Sequence, residues 1–375
     1  MWGSSTRKTP HRAMPALLAV LAAILVPGIA VPAQAEDKEV NVYNWADYIG
    51  AHTLEKFQAA TGIKVRYDLF DSNEAVEAKM LAGGSGYDVI TITSTYLGRQ
   101  MQAGVFQKLD KSKLINWKNL DPVALKAMRD VDPKNEYGVP YFWGTTGIAY
   151  NIGKIKERMP DAPVDSWAML FDPKIAAKFQ DCGIGMLDTP TVLPLVLKYL
   201  GKDPDSKSEA DYAEVAKVIE AVRPYYRKID NAGYKDALAT GELCLVMAWN
   251  GDVASAINTA RDNGTGVKLA YTLPKEGTYY WIDALAVPKD APHPEAAWTY
   301  INFLLDARIA AEGIDTVTYA SGVGAAKRLA DPVIVNDPII YPSAEDEKKL
   351  FGGAIEDMNL ERLRTRIWTK FKSGS

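Results

Sequence analysis

Histidine and cysteine are scarce in this chain of 375 residues, which has three histidines and two cysteines. Beyond the N-terminal segment the only histidines are His52 and His293, and neither stands in a recognisable motif. The sequence also lacks the G-x-S-x-G, H-E-x-x-H, Walker A and G-x-G-x-x-G patterns. Nucleophilic catalysis and metal sites of the His/Cys type are therefore not indicated, and we predict that the chain is not an enzyme. A hydrolase with a carboxylate pair stays open as an alternative, without a motif in its favour.

Long apolar runs are absent except at the start, where basic residues precede a run from about Ala13 to Ala30. Ala33-Gln34-Ala35 has the small-x-small pattern of a secretory cleavage site. A membrane anchor is the alternative, but Pro27 and Gly28 interrupt the run and no second apolar span follows. We predict that residues 1–35 are a signal peptide and that the protein is located in the periplasm.

Basic charge is in deficit. The chain has 43 Lys and Arg against 47 Asp and Glu, and three of the basic residues but none of the acids lie in the predicted leader. The remaining chain therefore carries a formal charge of about -7. Nucleic acid is not an expected partner, because phosphate attraction needs a basic face. Acidity is compatible with a cationic ligand.

The two cysteines, Cys182 and Cys244, both lie beyond the leader. In an oxidising compartment a lone pair of cysteines usually closes one disulfide. Two free, buried thiols are the alternative.

Strands and helices alternate along the chain. Val40 to Ile92 reads as strand, helix, strand, helix, strand, which predicts a mostly parallel sheet with helices on both faces and hence an α/β fold. Tyr137 to Asn151 is predicted as two strands joined through small residues, a joint that suits a hinge between lobes. A second α/β stretch follows it.

Tryptophan lies two or three residues from aspartate at three predicted strand ends. The pairs are Trp45 with Asp47, Trp249 with Asp252, and Trp281 with Asp283. Ligands of open α/β sheets bind beyond the carboxyl ends of strands. Carboxylates and indole faces there suit an alkyl-ammonium group. In the alternative interpretation the indoles are core residues and the acids are helix N-caps, with Asp252 capping the next helix.

From about Val40 onward the chain resembles the periplasmic putrescine/spermidine-binding proteins of ABC importers, and among them the putrescine-binding branch. The similarity is carried by Tyr43-Asn44-Trp45-Ala46-Asp47-Tyr48, Phe70-Asp71-Ser72-Asn73-Glu74, Asn116-Trp117-Lys118-Asn119-Leu120-Asp121-Pro122, Tyr199-Leu200-Gly201-Lys202-Asp203-Pro204 and Arg364-Thr365-Arg366, among other stretches. It implies a two-lobe periplasmic binding protein fold of type II, with the polyamine in a cleft between hinged lobes. An inner-membrane ABC permease would receive the closed form. We expect a monomer without cofactor or metal.

The predicted lobes are discontinuous in sequence. We assign residues 36–146 to the first part of lobe 1, 147–274 to the first part of lobe 2, 275–322 to the return of lobe 1, and 323–375 to lobe 2 and the C-terminal helices.

The resemblance also implies the ligand site, and the candidate ligand-binding residues are Trp45, Asp47, Thr93, Thr95, Asp188, Trp249, Asp252, Trp281, Asp283 and Tyr319. Trp281 stands where the family usually has phenylalanine, and Thr93 and Thr95 where it has serines. Cys182 and Cys244 match the family's disulfide.

Two departures bear on the ligand. Ala46 replaces a serine of the family, and the stretch around Thr191 is one residue shorter and lacks a glutamate. We predict a binding protein that delivers a putrescine-like diamine to an ABC importer. A different amine, or a sensor of it without transport, is the alternative.

Overall fold

The computed structural model describes residues 3, 38–353, 355 and 358–374. The predicted signal peptide lies outside the described residues. The strands are β1 Glu39–Trp45, β2 Lys64–Phe70, β3 Val89–Thr93, β4 Val139–Asn151, β5 Ile184–Met186, β6 Tyr226–Ile229, β7 Leu245–Trp249, β8 Leu269–Thr272, β9 Thr278–Ala286, β10 Ala320–Ser321 and β11 Leu350–Phe351.

Helices cover the sheet between these strands. They are α1 Thr53–Thr61, α2 Asn73–Ala82, α3 Ser94–Gln102, α4 Pro122–Met128, α5 Ile152–Arg158, α6 Ala168–Phe171, α7 Pro173–Ala176, α8 Leu193–Tyr199, α9 Glu209–Val222, α10 Tyr234–Thr240, α11 Asn250–Asp262, α12 Pro294–Leu304, α13 Ala307–Val317, α14 Pro332–Val335, α15 Ala344–Glu347 and α16 Met358–Ser373. The strands and helices predicted for the first βαβαβ unit are present, and their ends differ by one or two residues.

The main strands follow the order β2-β1-β3-β9-β4-β7-β5-β6, so a curled sheet runs through the molecule. Strands β1, β2 and β3 pair in parallel, as the alternating pattern predicts. Because the consecutive residues Val40 to Asn44 of β1 are all buried, and successive side chains point to opposite faces, both faces of this strand are covered. Strand β9 returns antiparallel to β3 and then pairs with β4.

Residues 139–151 form one long strand, β4, and not the two strands predicted. Its first part pairs with β9 and β10, and Thr146 to Tyr150 pair with β7. The register against β9 shifts between Pro140 and Trp143. The small residues that suggested a break instead allow the neighbours of β4 to pack closely. At Gly144, for example, an added Cβ would lie 2.7 Å from the Trp281 ring. We call β2-β1-β3-β9 with the start of β4 the first half-sheet, and the end of β4 with β7, β8, β5 and β6 the second.

Cys182 and Cys244 form a disulfide with Cα atoms 5.5 Å apart. The bridge joins the segment before β5 to the start of β7, two strands that pair in the sheet. The disulfide prediction is thereby confirmed, and the alternative of two free thiols is wrong.

Candidate functional site

The three Trp-Asp pairs lie around the point where β4 passes from the first half-sheet to the second. Gly144 is the register partner of Trp281 on β9, and Thr146 is the partner of Trp249 at the end of β7. Trp45 ends β1, beside the end of β3 in the same parallel group. The topology thus brings two strand ends, Trp45 of β1 and Trp249 of β7, beside the middle of β9, where Trp281 and Asp283 lie within the strand and not at the predicted strand end.

Asp283 is the most enclosed carboxylate of the site, with 4% of the residue exposed. It is the register partner of Thr93, whose hydroxyl donates to its Oδ1 at 2.7 Å. Asn73, at the start of α2, holds Thr93 through two hydrogen bonds of 2.9 and 3.1 Å. Burial raises the pKa of Asp283 to about 6, although the hydroxyls of Thr93 and Tyr48 oppose the shift. Asp283 forms no ion pair with any basic side chain in the described part of the chain.

Asp252 lies in the first turn of α11, which begins at Asn250. It is therefore not the N-cap, and the capping interpretation is wrong, because the helix begins earlier than its apolar pattern indicated. Each carboxylate oxygen accepts a tyrosine hydroxyl, from Tyr234 at 2.6 Å and from Tyr319 at 2.9 Å. Burial raises the pKa of Asp252, and the two hydroxyls and the nearby Lys235 ammonium oppose that rise.

Aromatic side chains pack around these carboxylates. Tyr319 packs edge-on against Trp281 with centroids 5.2 Å apart, and against Tyr48 at 5.7 Å. Trp45 packs on Phe70, and Trp249 lies 6.3 Å from the ring of Tyr234. The buried indole nitrogens of Trp45 and Trp281 have no hydrogen-bond partner among the residues described.

Asp47 occupies the turn after β1 with a left-handed backbone, φ 53°, a conformation that aspartate adopts more readily than most residues. Its side chain is 84% exposed and its Oδ2 lies 3.4 Å from Nζ of Lys235, at the start of α10. The charge of Asp47 also raises the pKa of Asp252, so the two carboxylates are close enough to interact. Asp47 therefore belongs to the same cluster.

Asp188 and Thr95 lie apart from this cluster. The carboxylate of Asp188 accepts from the Trp368 indole at 2.9 Å and from Lys372 at 2.6 Å, both on α16. Thr95 borders a cavity of about 80 Å³ together with Thr191 and Tyr279. This cavity adjoins the segment in which the family's glutamate is missing.

Sequence reasoning missed two residues that contact the site carboxylates, Tyr234 and Lys235. They open the short helix α10, whose sequence carries no tryptophan and no strand end. A polar or charged residue at the start of a helix has no local pattern that marks it as part of a distant site. Only the packing of α10 against the turn after β1 and the first turn of α11 places them there.

The arrangement is suited to binding a cation. Asp252 and Asp283 are enclosed beside aromatic rings, which can accommodate methylene groups and cations, and Asp47 adds an exposed carboxylate at the edge. Among the residues with described structure, no group of three or more His, Cys, Asp or Glu side chains is placed to hold a metal ion. Within the same residues, every helix is too short or too polar to cross a membrane.

Comparison with known proteins gives concordant similarities. A family model described as bacterial extracellular solute-binding protein matches residues 52–341. The chain is 44% identical to the putrescine-binding periplasmic protein SpuD of Pseudomonas aeruginosa, over 95% of this chain and 98% of SpuD. It is 43% identical to the putrescine-binding periplasmic protein PotF of Escherichia coli, over 91% and 93% of the two chains. A solved structure of a putative spermidine/putrescine ABC transporter from Listeria monocytogenes superposes with a TM-score of 0.80 at 31% identity, covering 89% of this chain and 99% of that one.

Proposed function

Because the chain belongs to the bacterial extracellular solute-binding proteins, we propose that it captures a putrescine-like diamine in the cleft between its lobes. In this proposal the protein works in the periplasm and delivers the diamine to the permease of an ABC importer. The names of SpuD and PotF support the ligand class, and the description of the Listeria structure supports the transport role.

The observation that carries the proposal is Asp283, a buried carboxylate without a basic partner among the described residues. An enclosed carboxylate without a counter-ion is costly, and its raised pKa records that cost. A ligand ammonium would supply the missing positive charge and donate hydrogen bonds to the Asp283 carboxylate. Trp281 and Tyr319 would cover the methylene groups beside it.

The ligand-binding set follows from this placement. We propose that Asp283 and Asp252 pair with ammonium groups and that Thr93 positions Asp283. The aromatic wall consists of Trp45, Trp249, Trp281 and Tyr319, and Asp47 lies at the exposed end. Asp188 is occupied by α16, so we assign it a structural role in holding that helix.

Hinge closure is part of the proposal. The lobes correspond to the two half-sheets, with boundaries near residues 146, 274 and 322, and β4 connects them. Closure would bring Asp47 and Asp283 of one half toward Asp252 of the other and exclude water, which strengthens ion pairs. Intrinsic tryptophan fluorescence should change when a diamine is added.

Titration calorimetry tests the ligand assignment. The purified protein is unfolded and refolded to remove ligand acquired from the cells, and is then titrated with putrescine, cadaverine, spermidine and agmatine. We expect one-to-one binding of a diamine with a Kd in the micromolar range or below, weakened roughly 10- to 100-fold by Asp283→Asn. Asp181→Asn, which removes an exposed carboxylate paired with Arg158, is the matched control and should bind normally. Absence of binding by every amine would refute the proposal.

Uptake distinguishes transport from sensing. Cells that lack the gene should lose high-affinity uptake of the radiolabelled diamine, and the intact gene should restore it. Unchanged uptake together with tight binding would favour the sensor.

A further inference from the structure

Lys235 places a positive charge of the protein inside the proposed cation site. Its Nζ lies 3.4 Å from Oδ2 of Asp47, and 26% of its side chain is exposed. Asp47 belongs to the first half-sheet and Lys235 to the helix α10 of the second. The ion pair therefore connects the two sides of the cleft.

The first turn of α10 also contacts Asp252. Tyr234 donates to Asp252 at 2.6 Å, and the charge of Lys235 favours the ionised form of that carboxylate. Lys235 is thus electrostatically coupled to two of the three carboxylates in the cluster.

The summed charge of this cluster sets the number of ammonium groups that it can balance. Asp47, Asp252 and Asp283 contribute three negative charges when ionised, and Lys235 contributes one positive charge. The cluster therefore has a net charge of about -2, which two ligand ammonium groups balance. A third ammonium would find no unpaired carboxylate in the cluster and would meet the like charge of Lys235.

We propose that Lys235 is a specificity-determining residue that restricts the cleft to amines with two positive charges and rejects triamines. This inference rests on the proposed function. The inference specifies the charge of the ligand that the protein selects. It assigns this selection to Lys235, a residue outside the Trp-Asp pairs.

The test compares putrescine with spermidine by titration calorimetry on the full protein and its variants. The measured quantity is the ratio of the spermidine Kd to the putrescine Kd. Lys235→Met and Lys235→Gln each replace the charged side chain with a neutral one. If one variant fails to fold, the other still provides the measurement. Lys235→Arg keeps the charge. Lys348→Met is the matched control. Lys348 directly follows α15 and forms an exposed ion pair with Glu345 of that helix.

We expect the ratio to fall at least about tenfold in both neutral variants and to stay within about threefold of the wild-type value in Lys235→Arg and Lys348→Met. A ratio that is unchanged in the neutral variants while putrescine still binds would overturn the role of Lys235 alone. An equal fall of the Kd ratio in Lys235→Arg would also overturn it, because the effect would then depend on the shape of the side chain and not on its charge. If putrescine, spermidine, cadaverine and agmatine all fail to bind to any of these proteins, the proposed function fails and this inference with it.

Discussion

Asp283 should make the ligand-free protein less stable at neutral pH than it would be with a neutral side chain in the same place. Burial raises its pKa from the ordinary 3.8 to about 6. The unfolded chain therefore ionises at a lower pH than the folded protein, and the folded protein loses stability as the pH rises through this window. A shift of about two units corresponds to ~3 kcal/mol at most, since each unit is worth about 1.4 kcal/mol.

Asp283→Asn removes this cost and keeps an oxygen that can accept the Thr93 hydroxyl. Relative to wild type, the variant should gain up to ~3 kcal/mol in free energy of unfolding between pH 4 and pH 8, although we expect it to bind the proposed diamine more weakly. Urea unfolding of both ligand-free proteins across this range, followed by tryptophan fluorescence, measures the difference. A gain of this size is a midpoint shift of about 1 M if the urea dependence is about 3 kcal/mol per M.

The control behaves differently. The Arg158 guanidinium lowers the pKa of the exposed Asp181 to about 2. The stabilising effect of this ion pair is lost only as the pH falls below about 4. Asp181→Asn should therefore show no pH-dependent change between pH 5 and pH 8. If the difference between Asp283→Asn and wild type is constant over that range, the burial argument is wrong.

Two further predictions concern packing and the disulfide. A Cβ at Gly144 would lie 2.7 Å from the Trp281 ring, so Gly144→Ala should destabilise the protein by about 1 to 3 kcal/mol and weaken diamine binding. Gly153→Ala, whose Cβ would have no neighbour nearer than 3.5 Å, is the control in the same unfolding and calorimetric assays and should not weaken either. Replacing Cys182 and Cys244 by alanine should lower the free energy of unfolding by roughly 4 kcal/mol, because the bridge spans 62 residues, while calorimetry should find binding retained. Loss of binding with unchanged stability would contradict that expectation.

Several conclusions could be reached from the sequence because they depend on local pattern or on family resemblance. The order of strands and helices predicted an α/β fold, and the resemblance predicted its two-lobe type II form, which is confirmed. The family is one of solute-binding proteins, in agreement with the prediction that the chain is not an enzyme. The pairing of the two cysteines followed from their number and the expected compartment.

The burial and the ion-pair partner of each carboxylate could not be predicted from local sequence pattern. Asp47, Asp188 and Asp283 are the same residue type, in a strand or just after one. One is exposed and paired with Lys235, one is held by α16, and one is buried without a counter-ion among the described residues. The partners of the first two lie 188 and 180 residues away in sequence. Hydrophobic periodicity reports relations over a few residues only.

The sequence by itself therefore determined the class of fold, the disulfide and the chemical character of the site, because residue type and short-range spacing suffice for these. The tertiary structure alone decided that β4 is one continuous strand, that Tyr234 binds Asp252, and that Lys235 stands beside Asp47. These contacts exist because two half-sheets distant in sequence pack their helices and turns around one strand, and burial and charge pairing depend on that packing.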